Sequence, residues 1–414
     1  MKTSLKFSLG ILILVALPMW GALLLVPGKP DRLTFTPGEF ADLPGWNDGE
    51  VAGALAALEK TCAKLRSLPP GRSLPGADIG GTAGDWIGVC DLLPTGDGVS
   101  EAAARHYFEN NFQPLAVSIG DRSTGTFTGY YEPLLKGSPV KTDEYSTPIL
   151  GKPDDLVMVD LGQFRDDLKG RRVAGSVQNG RLVPYADRAT IADGALADRA
   201  QPLLYVDSPV DAFFLHIQGS GRVRMPDGRL QMVGYAAQNG HAYTSVGRVL
   251  IQSGAIAREN MSMQAIRSWF QANPDRAHDI MNKNRSYVFF RFLEGTDGPY
   301  GSANVPLTAG HSLAVDRSHL SLHTPMWLAA TYPDPDRAFA PSDKKDADSS
   351  GQLPLRRMMV AQDTGGAIAG EIRGDVFWGF GDRAEEIAGR MANQGSYWVL
   401  LPKPLAAQKT ANAG

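Results

Sequence analysis

The stretch Met358–Gly381, MMVAQDTGGAIAGEIRGDVFWGFG, constrains this chain more than any other. Met358–Ala361 is an apolar run that reads as a buried strand. It stops at Gln362-Asp363-Thr364-Gly365-Gly366, where paired glycines allow a sharp turn and positive φ. Ala367–Ile368 leads on to Gly370, and Arg373-Gly374-Asp375 then precedes the aromatic cluster Phe377, Trp378 and Phe380. Two carboxylates at turns beside aromatic surface suit acid catalysis on a sugar chain. An acid placed where water is scarce keeps its proton, and pyranose rings stack on aromatic faces. Asp before Thr-Gly-Gly is also ordinary turn chemistry, so the stretch alone leaves both readings open.

The rest of the chain narrows the architecture. Its 414 residues accommodate two domains, or one large domain with an insertion. Gly and Pro number 46 and 28 while long stretches of helical periodicity are few, which favours a mainly β, loop-rich fold. A formal net charge of -3 carries no basic excess, which argues against a nucleic-acid partner. His319 and His323 share a face but lack a third ligand and the H-E-x-x-H pattern, so no metal site is expected.

Lys2 and Lys6 precede a charge-free apolar run, Phe7–Val26, about long enough to span a bilayer. Positive residues on its N-terminal side orient the body of the protein for export. Residues 1–29 therefore read as a signal anchor or a signal peptide. No strong small-x-small cleavage site closes the run and no cysteine follows it to take a lipid, which favours an anchor; Pro18 argues against a straight helix. Cys62 and Cys90, the only cysteines, flank a loop containing Pro69-Pro70-Gly71 and Pro75-Gly76. In an oxidising periplasm they would form a disulfide closing that loop, worth about 3 kcal/mol on loop entropy. The alternative is two buried thiols that never meet.

In order, Asp31–Asp48 reads as a linker, and Glu50–Ser67 and Glu101–Asn111 as helices. Thr126–Pro133 reads as a strand in which Gly129 marks a bulge or a close backbone approach. Tyr130 and Tyr131 there suit a glycan groove or a half-buried strand equally. Ala212–Ile217 is a strand-like run ending in Gln218-Gly219-Ser220-Gly221. It lacks a third glycine for a phosphate loop, so a hydrogen-bonding loop facing a polar ligand and a glycine-rich hairpin end both remain open. Asp227-Gly228 is a hairpin signal. Ser245–Ser253 and Ser262–Ala272 read as helices, Ser286–Phe292 as a strand, and Gly301–Leu322 as strand–turn–strand around Asp316. Pro333–Gly351 reads as a surface loop, Trp398–Leu401 as a last buried strand, and the tail after Pro404 (residues 406–414) as disordered.

Seven segments taken in order resemble the membrane-bound lytic murein transglycosylase A family. They are FTGYYEP (Phe127–Pro133), HIQGSG (His216–Gly221), NGHAYTSVG (Asn239–Gly247), MSMQAIRSW (Met261–Trp269), SYVFFR (Ser286–Arg291), AVDRS (Ala314–Ser318) and QDTGGAIAG (Gln362–Gly370). The C-terminal part also looks like the "3D" domain, whose three aspartates fall here on Asp316, Asp363 and Asp375. The resemblance implies a double-psi β-barrel domain in two segments, residues 30–132 and 286–405, a second, barrel-like β-domain inserted at 133–285, and a few flanking helices. It implies non-hydrolytic cleavage of the β-1,4 bond between N-acetylmuramic acid and N-acetylglucosamine, leaving a 1,6-anhydro end, with no cofactor. Asp363 matches the family's single acid and base, Asp375 a supporting carboxylate, and Asp316 a structural or hydrogen-bonding one. Tyr130, Tyr131, Gln218, Ser220, His241 and Tyr243 are the groove residues this suggests. The expected partners are peptidoglycan strands, the membrane through the N-terminal run, and other cell-wall enzymes. The family's well-known members are lipoproteins of the outer membrane. The missing lipid-acceptor cysteine points instead to an inner-membrane anchor or a free periplasmic protein.

Two rivals remain. Asp363-Thr364-Gly365 matches the core of an aspartic protease, but the chain holds no second D-T-G to share a proton with it. A non-catalytic glycan-binding module would use the same groove and leave Asp363 as a turn residue.

Overall fold

Two strands far apart in sequence close the first layer of the molecule. In this computed structural model, which describes residues 33–96, 98–168, 171–295, 298–337 and 351–411, β1 (Leu33–Pro37) pairs antiparallel with β2 (Phe112–Ile119). Between them lie α1 (Gly53–Arg66), α2 (Gly84–Asp91) and α3 (Glu101–Asn111). Apolar residues at helical spacing explain α1: Leu55, Leu58, Cys62 and Leu65 face the core. Cys62 of α1 and Cys90 of α2 are joined by a disulfide.

After β3 (Gly125–Glu132) the chain leaves for a second sheet. It forms β4 (Leu134–Ser138) and β5 (Thr147–Leu150), then a small antiparallel sheet of β6 (Val157–Asp160), β7 (Arg172–Gln178) and β8 (Arg181–Pro184). There follow α4 (Arg188–Ala192), β9 (Pro202–Val206), α5 (Pro209–Gln218), β10 (Ser220–Arg224), β11 (Leu230–Gln238), α6 (Val246–Gln252), α7 (Met263–Ala272), α8 (Pro274–Asn282) and β12 (Val288–Phe292). The second sheet runs β12-β11-β10-β4-β9-β5, and a bridge between Gly151 and Phe290 links its two edges.

The chain then returns to the first sheet through β13 (Ser312–Val315), β14 (Pro325–Pro333), β15 (Gln352–Asp363), β16 (Arg373–Phe380), α9 (Asp382–Ala388), β17 (Ala392–Pro402) and α10 (Lys403–Ala411). Strand β17 pairs with β2, β14 and β3, which closes β17-β14-β15-β13-β16-β3 into a six-stranded ring. Met358, Met359, Val360 and Ala361 of β15 are wholly buried, as an apolar run covered on both faces requires.

Three local expectations are corrected. Ala212–Ile217 is helix, not strand: Ser208 caps α5 by accepting from the Asp211 N–H, Pro209 occupies its first turn, and the run is apolar all round because α5 is buried. Gly219 is its left-handed C-cap, φ 80°, rather than part of a ligand loop. Gly301–Leu322 contributes one strand, β13, while its first part folds back through a Tyr300–Pro306 bridge. The tail is helical through Ala411: its alanines favour helix, Pro404 sits in the first turn where its missing N–H costs nothing, Leu405 and Ala406 are buried, and Lys409 meets Asp78 at 2.7 Å. The apolar run Phe7–Val26 and most of the Pro333–Gly351 loop lie outside the described residues. No helix among the described residues is long and apolar enough to cross a membrane.

Candidate active site

Strand register gathers the two carboxylates. Ala314 of β13 lies opposite Asp363 on parallel β15 and opposite Asp375 on antiparallel β16, and Asp375 lies opposite Thr128 on parallel β3. Four neighbouring strands thus bring Asp363, Asp375 and Thr128 to one level of the ring. At the usual spacing between strands the two aspartate backbones stand about 10 Å apart. A register shift between Leu313 and Ala314 sets the level of Asp363, which is the last residue of β15.

Asp363 is partly exposed, with its oxygens unequally engaged. Oδ1 accepts from the Ser302 N–H and hydroxyl, both at 2.9 Å, and from the Thr364 N–H at 2.8 Å. Among the described residues Oδ2 accepts only from the Tyr130 hydroxyl, at 3.0 Å. Crowding by protein raises the carboxyl above its ordinary value, and the donors from Ser302, Thr364 and Tyr130 offset part of that rise. Tyr130 packs its ring 5.2 Å from Phe377, and burial pushes its hydroxyl well up, so it stays protonated.

Asp375 accepts from the Thr128 hydroxyl at 2.6 Å, and Arg373 in turn donates to Thr128 Oγ1 at 2.7 Å. Desolvation lifts the Asp375 carboxyl to about 6 against the pull of Arg373 and Thr128, with Asp363 adding to the rise. Two carboxyls biased toward holding protons, within each other's field, are the arrangement a neutral-pH acid needs.

Asp316 does different work. Its carboxylate accepts from the Ser318 N–H and hydroxyl at 2.9 and 2.6 Å and from the Gly370 N–H at 2.8 Å. Burial opposes its charge, yet these donors hold it below its ordinary value. It stays ionised and pins the loop that follows Asp363.

Beside these strands opens a cavity of about 490 Å³ between α5, α6 and α7 on one side and β3, the end of α9 and Met391 on the other, with Thr128 and Tyr243 among its lining residues. Tyr243 also faces the Asp363 loop: its Cβ lies 4.0 Å from where a side chain on Gly366 would begin.

Comparison with known proteins now decides the lineage. Residues 126–291 match the family described as "MltA specific insert domain", and residues 311–401 match "3D domain". A crystal structure of a membrane-bound lytic murein transglycosylase from Agrobacterium tumefaciens is 34% identical, with a TM-score of 0.77 over 91% of this chain and 99% of that one. The chain belongs to the membrane-bound lytic murein transglycosylase A family. The Escherichia coli member is 34% identical over 280 residues, 67% of this chain and 66% of that protein, so the match spans about two thirds of its length. The structure of Escherichia coli MltA with bound chitohexaose matches at 27% identity with a TM-score of 0.62, covering 90% and 95% of the two chains. The mainly β architecture and closed ring agree with the double-psi fold class of these transglycosylases.

Of the residues named from sequence, Asp363, Asp375, Tyr130 and Tyr243 come together, and Asp316 supports them. Tyr131 does not line the groove. Alternation along β3 turns it to the opposite side from Tyr130, where it is 1% exposed beside Ala384 and Ala388. Gln218 accepts from the Tyr131 N–H at 3.2 Å, Ser220 is buried at the start of β10, and His241 Nε2 meets the Tyr185 carbonyl at 2.8 Å. Those three serve the scaffold. Sequence reasoning missed Thr128, Arg373 and Ser302. The first shares the Tyr130 face of β3 by period-two spacing and was there to be found. Ser302 reaches Asp363 from a loop with no local signal.

Proposed function

We propose that this chain is a peptidoglycan lytic transglycosylase that cleaves the β-1,4 bond between N-acetylmuramic acid and N-acetylglucosamine without water. The observation that carries the reading is the asymmetry of Asp363. Oδ1 is filled by three donors, so the proton resides on Oδ2, the oxygen with one partner among the described residues. From Oδ2 it passes to the glycosidic oxygen as that bond breaks and positive charge develops at C1 of the muramoyl ring. The C6 hydroxyl of the same ring attacks C1, and its proton returns to Asp363. Atoms balance without a water molecule: one strand leaves with a free 4-hydroxyl and the other ends in a 1,6-anhydro ring. Asp375 keeps the acid's affinity for its proton high through the space between them, and Tyr130 holds Oδ2 in line.

On this reading residues 30–132 and 286–405 form the catalytic barrel domain and 133–285 the inserted domain. The glycan lies across the level of the ring that holds Asp363, and the Escherichia coli relative has been seen with bound chitohexaose. The exported body is held in the periplasm by its N-terminal run. Mass spectrometry of products from purified peptidoglycan tests the proposal. The parent protein is expected to release anhydromuropeptides and Asp363→Asn none, a loss of at least about 10³-fold, since the step has no second acid. Reducing-end products would mean a hydrolase, and retained binding without products would mean a glycan-binding module.

A further inference from the structure

The cavity beside Thr128 has a composition that a bare glycan does not call for. Its wall is mainly apolar, with Ile217, Val246, Ile266 and Met391 beside the rings of Phe214 and Tyr243 and a few hydroxyl and amide side chains. Among the described residues, its only charged lining residues are Arg248 and Arg258, and no carboxylate lines it. Both arginines are exposed, and neither guanidinium has an ion-pair partner among the described residues. Such a pair is unusual here, since most arginines near the site are committed: Arg267 to Asp211 and Glu385, Arg222 to Glu132, Arg357 to Glu50. Arg248 also acts on Tyr243, lowering its hydroxyl against the larger rise from burial.

A neutral, hydroxyl-rich sugar is met by aromatic faces and hydrogen-bonding side chains. A mainly apolar wall ending in two open guanidinium groups instead matches a short chain of methyl-bearing units that ends in carboxylates. Resting on the transglycosylase reading, we infer that this cavity is a subsite for the acidic peptide stem carried on the lactyl group of the muramoyl residue. The lactyl and alanyl methyls lie along the apolar wall, and Arg248 and Arg258 receive the carboxylates of the acidic residues beyond. The cavity volume of about 490 Å³ holds a few amino-acid residues. Its contact with Thr128, the hydroxyl that holds Asp375, sets the stem next to the ring being cut.

Binding, measured apart from turnover, separates this inference from the reaction. Calorimetry on the exported body compares N-acetylmuramoyl-L-alanyl-D-isoglutamate with its isoglutamine counterpart, which differs by one carboxylate. The parent is expected to prefer the acid by about tenfold, a preference that weakens with added salt, as a charge-assisted contact requires. In the double variant Arg248→Gln/Arg258→Gln the preference should vanish, and in Arg248→Lys/Arg258→Lys it should return in part. Equal affinity of the parent for both ligands, or a preference kept by the glutamine variant, would overturn the inference. A parent that shows arginine-dependent preference yet yields no anhydro product would leave the stem subsite standing and remove the transglycosylase reading.

Discussion

The ring and the inserted region use polar side chains in opposite ways. In the ring, donors from three separate segments, Ser302, Tyr130 and the Thr364 N–H, converge on one partly exposed carboxyl, and Oδ2 keeps room for a further partner. In the inserted region several polar groups satisfy one another. Asn239 bonds the Ala186 and Arg285 carbonyls and accepts from the Tyr287 N–H. Buried Arg188 holds the Asn284 and Ser286 carbonyls and contacts His216. Apart from Ile217 and Tyr243, which line the cavity, segments as distinctive as HIQGSG and NGHAY are thus distinctive because folding needs them, whereas FTGYYEP and QDTGG carry an open coordination. The inserted region's share in the chemistry is a wall.

Three experiments can break or sharpen that contrast. The greatest effect is expected at Gly129, where a Cβ would stand 2.7 Å from Trp378 and 2.8 Å from the Ala388 backbone. Gly129→Ala should cost about 3 kcal/mol in urea unfolding, because the ring's strands and α9 cannot move apart. An unchanged midpoint would mean that the ring is looser than its contacts.

Next is Asp375→Asn. The folded carboxyl sits at about 6 against its ordinary 3.8, so the fold favours its protonated form. That contribution is present below the ordinary value and lost as pH rises through about 6. The permanently neutral variant should therefore gain about 2 kcal/mol on the parent at pH 8 and nothing at pH 4, after allowance for partial exposure. Its activity should also fall, since the proposed acid loses its supporting carboxylate. A pH-independent difference in stability would reject the raised value.

The smallest effect separates two hydrogen bonds. Tyr130→Phe removes the only donor to Asp363 Oδ2 among the described residues and should lower kcat about tenfold with stability preserved. His241→Ala should change kcat less than about twofold and instead lower the unfolding midpoint. The reverse pattern would move the site into the inserted region.

Much of this was legible in sequence where a signal is local. Caps and spacing placed α1, α3, α6 and α7, and the Asp227-Gly228 turn placed the β10–β11 hairpin. Asp363 and Asp375 stood out through their glycine turns. The errors came where tertiary context decides: an apolar run short enough to be strand or helix became α5, and Tyr131 was separated from Tyr130 only by knowing which face of β3 is covered. Ser302 shows the limit. Its partner lies 61 residues away, and nothing near it in the chain announces the contact.

Strand β17 is the last strand of the chain, and it completes the ring by pairing on both sides. Thr128 waits for a partner 247 residues downstream. A polypeptide made from its N-terminus therefore presents Tyr130 and Thr128 long before the strands that answer them arrive, and such distant pairings form late. On the proposed activity the timing is protective: a growing chain is blunt, and it acquires its cutting edge only once β17 has been made and has closed the ring.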